Sequence, residues 1–266
     1  MAFADSGGTR IYYEDRGKGE PVFLCLPGWC VHHPMFGPTA ERLSTSNRVL
    51  AMDWRGHGKS EPSAGDFGYA DMLADVLAVI ESSGAQSLIP VAQAHAGWVA
   101  LALRQQLSDR VPKLIFTSWN PISASGNEFA PMFMAAMEAF QDEARWRGAV
   151  DQLVASWLTG APAAVESEIR DEVQSHGYGD WARAAREIVA AYAREGDPLK
   201  SLSNFSPPVL ALHLYAQPRT PEYLSLQESF AREHPWFAVR RLEGVSHFPT
   251  LEVPDETTEA ITNFMH

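Results

Sequence analysis

The sequence predicts an α/β fold: a mostly parallel central sheet with helices packed on it and an inserted helical cap. Three observations carry this. Short β-rich runs alternate with stretches of helical spacing through the first half of the chain, the pattern of βαβ units. Glycine-bearing turns stand directly after several of those runs. Finally, residues from about 127 to 204 carry helix-forming Ala, Glu and Arg with spaced Met, Phe and Trp, and almost no β-rich run.

Taken in order, Ile11 to Glu14 and Pro21 to Leu26 read as strands, and Asn47 to Asp53 as a third. Ala70 to Ser83 has helical spacing, Ser87 to Ala92 is a buried strand by its apolar run, and Trp98 to Leu107 is a helix. Lys113 to Ser118 is the next strand. After the helical block, Ser206-Pro207-Pro208 marks re-entry into the sheet, and Val209 to Tyr215 and Phe237 to Leu242 resume the strand pattern. The expected organisation is therefore one domain: core residues 1–126, a helical cap over 127–204, and core again over 205–266.

With 266 residues, 45% of them hydrophobic, the chain can bury one large core. A net charge of -12 argues against a nucleic-acid partner, which would need a surplus of Lys and Arg on one face. Two cysteines, Cys25 and Cys30, are too few for a disulfide scaffold or a thiolate metal site, so a reducing cytoplasm is expected. Met1 to Arg10 has no apolar core of an export signal, and no stretch approaches a membrane span; the expectation is an unexported protein without a membrane partner.

Four segments carry chemistry. Leu26-Pro27-Gly28-Trp29, after an apolar strand, resembles the oxyanion loop of α/β-hydrolase enzymes, and Asp53-Trp54-Arg55-Gly56-His57-Gly58-Lys59-Ser60 resembles a turn common in that superfamily. Val91-Ala92-Gln93-Ala94-His95-Ala96-Gly97-Trp98 lies between strand and helix where that superfamily places its nucleophile elbow, but the serine position is Ala94. A methyl group cannot attack a carbonyl, so acyl-enzyme chemistry is unavailable at this turn. Gly244-Val245-Ser246-His247-Phe248, after the last predicted strand, resembles the superfamily's catalytic-histidine loop. An imidazole there can take a proton at neutral pH. A retained base beside a missing nucleophile implies a reaction that begins by deprotonating the substrate.

These residues, together with Leu26-Pro27-Gly28-Trp29-Cys30, Asp66-Phe67-Gly68-Tyr69, Trp157-Leu158-Thr159-Gly160, Gly177-Tyr178-Gly179-Asp180-Trp181 and His234-Pro235-Trp236-Phe237, resemble the cofactor-independent 3-hydroxy-4-quinolone 2,4-dioxygenases of the α/β-hydrolase fold. The resemblance runs over nearly the whole chain. It implies an enzyme that uses O2 and a small aromatic substrate without metal or flavin, and that releases carbon monoxide and an N-acylanthranilate. It places His247 as the general base, and Trp29, Ala94, His95, Trp157 and Trp181 at the substrate, with the amides of Trp29 and His95 facing the 4-oxo oxygen. His32 is placed in the pocket as well, although Val31 holds the family's histidine position. The family's dyad acid falls at Ser118, whose hydroxyl is left to orient His247; no carboxylate sits at the usual position after the seventh strand, where Gln217, Pro218 and Arg219 stand, with Glu222 a few residues beyond. No metal-binding spacing and no dinucleotide fingerprint appear in the sequence.

The apolar series Phe129, Met132, Phe133, Met134, Met137 and Phe140 is either a wall for a 2-alkyl substituent or packing against the sheet; with Phe133 and Met137 assigned to the pocket, a 2-alkyl-3-hydroxy-4(1H)-quinolone signal is the expected substrate. Two other readings stay open: a serine-type hydrolase disabled at Ala94, and a non-catalytic receptor for the same ligand. The oligomeric state is open too.

Overall fold

The computed structural model describes residues 2–119 and 129–266. Its sheet comprises β1 (Ala2–Ser6), β2 (Thr9–Arg16), β3 (Val22–Leu26), β4 (Val49–Met52), β5 (Leu88–Gln93), β6 (Lys113–Thr117), β7 (Leu210–Tyr215) and β8 (Phe237–Arg241), in the order β1-β2-β4-β3-β5-β6-β7-β8. β1 and β2 pair antiparallel, as do β2 and β4; every pairing from β4 through β3, β5, β6 and β7 to β8 is parallel. β3, β4 and β5 are buried along their whole length. Strands covered on both faces have no polar side to alternate with, which is why they stand in the sequence as continuous apolar runs.

The helices are α1 (Gly37–Leu43), α2 (Tyr69–Ser83), α3 (Gly97–Leu107), α4 (Phe129–Phe140), α5 (Trp146–Trp157), α6 (Ala163–Gln174), α7 (Tyr178–Glu195), α8 (Pro198–Ser203), α9 (Pro221–Glu233), α10 (Pro249–Glu252) and α11 (Pro254–Met265). α1 packs with α10 and α11, and α2 with α3. Helices α4 to α8 follow β6 and precede β7, with α4 packed on both α5 and α7. Among the described residues no helix is long and apolar enough to cross a membrane.

One strand is absent from the sequence reading. β1 is short, carries Asp5 on an exposed face, and joins β2 through Gly7 and Gly8, both at positive φ (60° and 88°). Glycine takes that backbone without steric cost. The Asp53 to Ser60 turn is structural. Asp53 accepts bonds from the His33 amide (2.8 Å), His33 Nδ1 (2.9 Å) and the Lys59 amide (2.9 Å), while Arg55 forms a buried ion pair with Asp75 on α2.

Candidate active site

The elbow is fully formed around a residue that cannot act as a nucleophile. β5 ends at Gln93, Ala94 turns the chain at φ 48°, and α3 begins at Gly97. A left-handed backbone costs a non-glycine residue roughly 1–2 kcal/mol, so the turn persists only because its surroundings hold it. Gly97 is part of that hold: a Cβ there would lie 2.6 Å from Cδ2 of the Trp119 ring, so the helix start sits against the indole. β3 and β5 are neighbours in register, Leu26 opposite Ala92. The loops that carry Trp29 and His95 therefore leave adjacent strands at the same edge of the sheet.

That edge opens on a cavity of about 830 Å³, within the range of small-molecule sites. Its walls include nine of the ten residues singled out from the sequence: Trp29, Ala94, His95, Ser118, Phe133, Met137, Trp157, Trp181 and His247. Trp29 is fixed by stacking on Phe67 (centroids 5.8 Å apart, 15°) and by donating through Nε1 to the Tyr69 hydroxyl (3.1 Å), which donates to the His95 carbonyl (3.1 Å). Trp181 tilts against Phe140 and Trp157. From α4, Met132, Phe133, Met137 and Phe140 reach the cavity. Met134 is exposed instead, and the side chain of Phe129 lies outside the described residues.

His247 lies in the loop between β8 and α10. Its ring stacks on Trp157 (5.0 Å, 7°), and its amide donates to the Trp157 carbonyl at 2.9 Å. The loop is anchored by Glu252, which accepts from the amides of Val245 (3.0 Å) and Ser246 (2.7 Å). The carboxylate of this loop thus holds backbone, not imidazole. Burial, with His95 as a lesser like-charged neighbour, lowers the pKa of His247 to about 3, and burial alone takes His95 to about 4. Both rings are neutral at physiological pH, and His247 has a free lone pair for a proton.

Two expectations are corrected. Ser118 was to orient His247, but among the described residues its buried hydroxyl has no hydrogen-bond partner, and none of them bonds either ring nitrogen of His247. Ser118 sits at φ 53° and lines the cavity wall without a bond to the imidazole. The ring is held by stacking instead. His32 was to line the pocket, but Cys30 at φ 58° turns the chain so that Val31 lines it. His32 points away: its amide donates to Glu172 (3.0 Å) and its Nε2 meets Nε2 of His176 (3.0 Å).

Gln217 emerges only from the structure. At the position after β7, its Nε2 donates to the carbonyls of Trp157 (2.8 Å) and Val245 (3.1 Å), tying the end of α5 to the histidine loop. The sequence shows the missing carboxylate there but not what the amide does in its place. Gln93, Ile188 and Tyr223 also line the cavity, and nothing in their local sequence distinguishes them from core.

Sheet order, elbow and histidine loop define an α/β-hydrolase-fold protein whose elbow lacks a nucleophile. The profile described as Alpha/beta hydrolase family matches residues 23–260. A 2-heptyl-3-hydroxy-4(1H)-quinolone dioxygenase of Mycobacteroides abscessus is 35% identical over 96% of this chain and 94% of its own length. The 1H-3-hydroxy-4-oxoquinoline 2,4-dioxygenase of Pseudomonas putida is 32% identical over 100% and 99%. A solved structure of AqDC with its product, described as recognising and ring-cleaving the Pseudomonas quinolone signal, superposes with a TM-score of 0.91 at 33% identity, covering 100% of this chain and 99% of that one. The chain belongs to the 3-hydroxy-4-quinolone dioxygenases of the α/β hydrolase family.

Proposed function

We propose that this protein converts a 2-alkyl-3-hydroxy-4(1H)-quinolone and O2 to an N-acylanthranilate and carbon monoxide, in the cytoplasm and without a cofactor, so degrading an alkylquinolone signal. One observation carries the reading: Ala94 occupies a strained, intact elbow that shares an apolar-walled cavity with a neutral His247. The cavity keeps a base and the place of the oxyanion donors, and has lost the nucleophile needed for acyl transfer together with the acid that would pair with the base.

His247 takes the proton of the 3-hydroxyl. The imidazolium and the quinolone anion then stabilise each other in a medium where each alone is disfavoured, which raises the histidine's pKa once the substrate is bound. The amides of Trp29 and His95, on loops leaving adjacent strands, accommodate the 4-oxo oxygen. The anion passes an electron to O2 and the pair recombines as a peroxide at C2. The terminal oxygen attacks C4, and collapse of the bridged peroxide breaks the O–O, C2–C3 and C3–C4 bonds, leaving the product as its carboxylate while His247 gives its proton back to solvent. C3 leaves as carbon monoxide with the former hydroxyl oxygen, and one atom of O2 goes to each new carbonyl. Helices α4, α5 and α7 act as a cap, with Phe133 and Met137 against the alkyl chain. The relative that acts on the 2-heptyl compound supports this choice of substituent.

The test is anaerobic mixing of the protein with 2-heptyl-3-hydroxy-4(1H)-quinolone, followed by an air pulse. The expected result is the anion spectrum before air, then carbon monoxide and N-octanoylanthranilate. A folded protein that shifts no spectrum and releases no carbon monoxide, with the 2-methyl analogue inert as well, overturns the proposal.

A further inference from the structure

Outside the cavity, three loops bring a thiol and imidazoles together in the interior. Cys30 follows β3, His57 follows β4, and His176 lies between α6 and α7. All three are buried, and their ligand atoms lie within 4.8 Å of one another. His57 and His176 pack at 4.6 Å between ring centroids. His32 joins them, its Nε2 3.0 Å from Nε2 of His176. None of the four lines the cavity.

The outer nitrogens of two rings are already engaged. Nδ1 of His57 donates to the Arg55 carbonyl (3.0 Å), and Nδ1 of His176 faces Asp180 Oδ2 at 3.4 Å. This fixes the tautomer that turns the Nε2 lone pairs inward, as a carbonyl or carboxylate does behind a metal-bound imidazole. Two ring nitrogens and a sulfur thus lie within 4.8 Å of one another, with His32 Nε2 3.0 Å from that of His176, and the Cys30 amide donates to His57 Nε2 at a long 3.2 Å. Two nitrogens about 2.0–2.1 Å from one tetrahedral zinc stand about 3.3 Å apart, close to the His32–His176 spacing.

We propose that Cys30, His57, His176 and His32 bind one structural zinc ion that fastens the α6–α7 turn to the loops after β3 and β4. A single thiolate with imidazoles suits a borderline-soft ion that favours tetrahedral geometry and needs no open position. Binding releases the Cys30 proton to solvent, the Cys30 amide gives up its bond to His57 Nε2 and so frees that lone pair for the ion, and the His32–His176 N–H···N bond gives way to two metal bonds as the His32 proton moves to Nδ1. The ligands come from loops scattered along the chain and include a single thiolate, so neither the cysteine count, which argued against a thiolate site, nor a spacing motif in the sequence reveals them. The ion serves architecture: the Trp29 ring, on the cavity wall, lies 6.1 Å from the His57 ring.

The test uses the full chain, purified, reduced and chelator-treated, then titrated with cobalt(II) and separately with zinc. Expected are tetrahedral d–d bands and a thiolate-to-cobalt charge-transfer band, saturating at one ion per chain, and a zinc-induced rise in Tm of roughly 5 °C or more. Cys30→Ser is expected to abolish the charge-transfer band and His176→Gln to weaken cobalt binding at least tenfold. The wild-type titration stands whether or not these variants fold. Absence of tetrahedral bands, or bands without thiolate character, overturns the proposal, as does an unchanged Tm at one equivalent of zinc.

Discussion

His247 must take a proton inside a largely apolar cavity with no carboxylate bonded to its ring among the described residues, which sets what substitutions around it do. His247→Ala is expected to lower kcat by roughly 10²- to 10⁴-fold, the usual span for general-base loss. The anaerobic anion spectrum should vanish with it while the far-UV circular dichroism stays unchanged. Ser118→Asp puts a carboxylate on the cavity wall and stabilises the imidazolium, so the pKa of His247 moves up. The acid limb of kcat/KM against pH should then shift to higher pH; an unmoved limb would show that position 118 does not sense the ring. Ala94→Ser restores a hydroxyl but leaves Ser118 and Gln217 where an acid would stand, so stopped-flow mixing with an activated ester is expected to show no acyl-enzyme burst.

The hold on the histidine loop belongs to the elements around it. Gln217 joins α5 to that loop through two carbonyls, and Trp157 at the end of α5 supplies the face on which the imidazole stacks. Gln217→Ala removes both bonds and takes the donor from the Val245 carbonyl, while the Trp157 carbonyl keeps the His247 amide, a cost of about 1–3 kcal/mol. Loosened stacking should lower kcat roughly tenfold without abolishing it, with a fall of several degrees in Tm by calorimetry. On α4, Met137→Trp fills the cavity beside Phe133 and Phe140, so KM for the heptyl substrate should rise at least tenfold while that of the 2-methyl analogue changes little.

Most of this arrangement is legible in the sequence because it rests on local physics. Apolar runs announce the buried strands, and the elbow and histidine loop are short segments that bring their geometry with them. What was not legible depends on where chains cross. His32 went to the wrong side because the left-handed turn at Cys30 is invisible in a residue with a Cβ. Ser118 stands in the right place for a partner of His247, yet no motif reports where its hydroxyl points. The role of Gln217 depends on two carbonyls far off in sequence.

Across the whole molecule, buried neutral histidines set the response to acid. Burial lowers His247 to about 3 and His95 and His213 to about 4, below the roughly 6.5 of an unfolded chain. Between those values the unfolded state binds more protons than the folded one, so stability falls as pH drops from about 6.5 toward about 4. Calorimetric Tm should decline over that window, and more gently in His213→Leu, whose residue packs far from His247 in sequence and outside the cavity lining. Carboxylates held low by partners, such as Asp66 beside Arg183 and Arg186, are lost only at more acid pH, which separates the two contributions.

The strained turn at Ala94 also has a genetic reading. The fold maintains the shape of a nucleophile elbow around a methyl group, and alanine and serine codons differ by one base. Glutamine and glutamate codons also differ by one base, at the Gln217 position where hydrolases carry their acid. Two residue changes, Ala94→Ser and Gln217→Glu, thus separate this chain from one carrying the side chains of a Ser-His-Glu triad. The shape of such a site therefore resides in the backbone, while the reactive side chains are the part that single substitutions exchange in either direction.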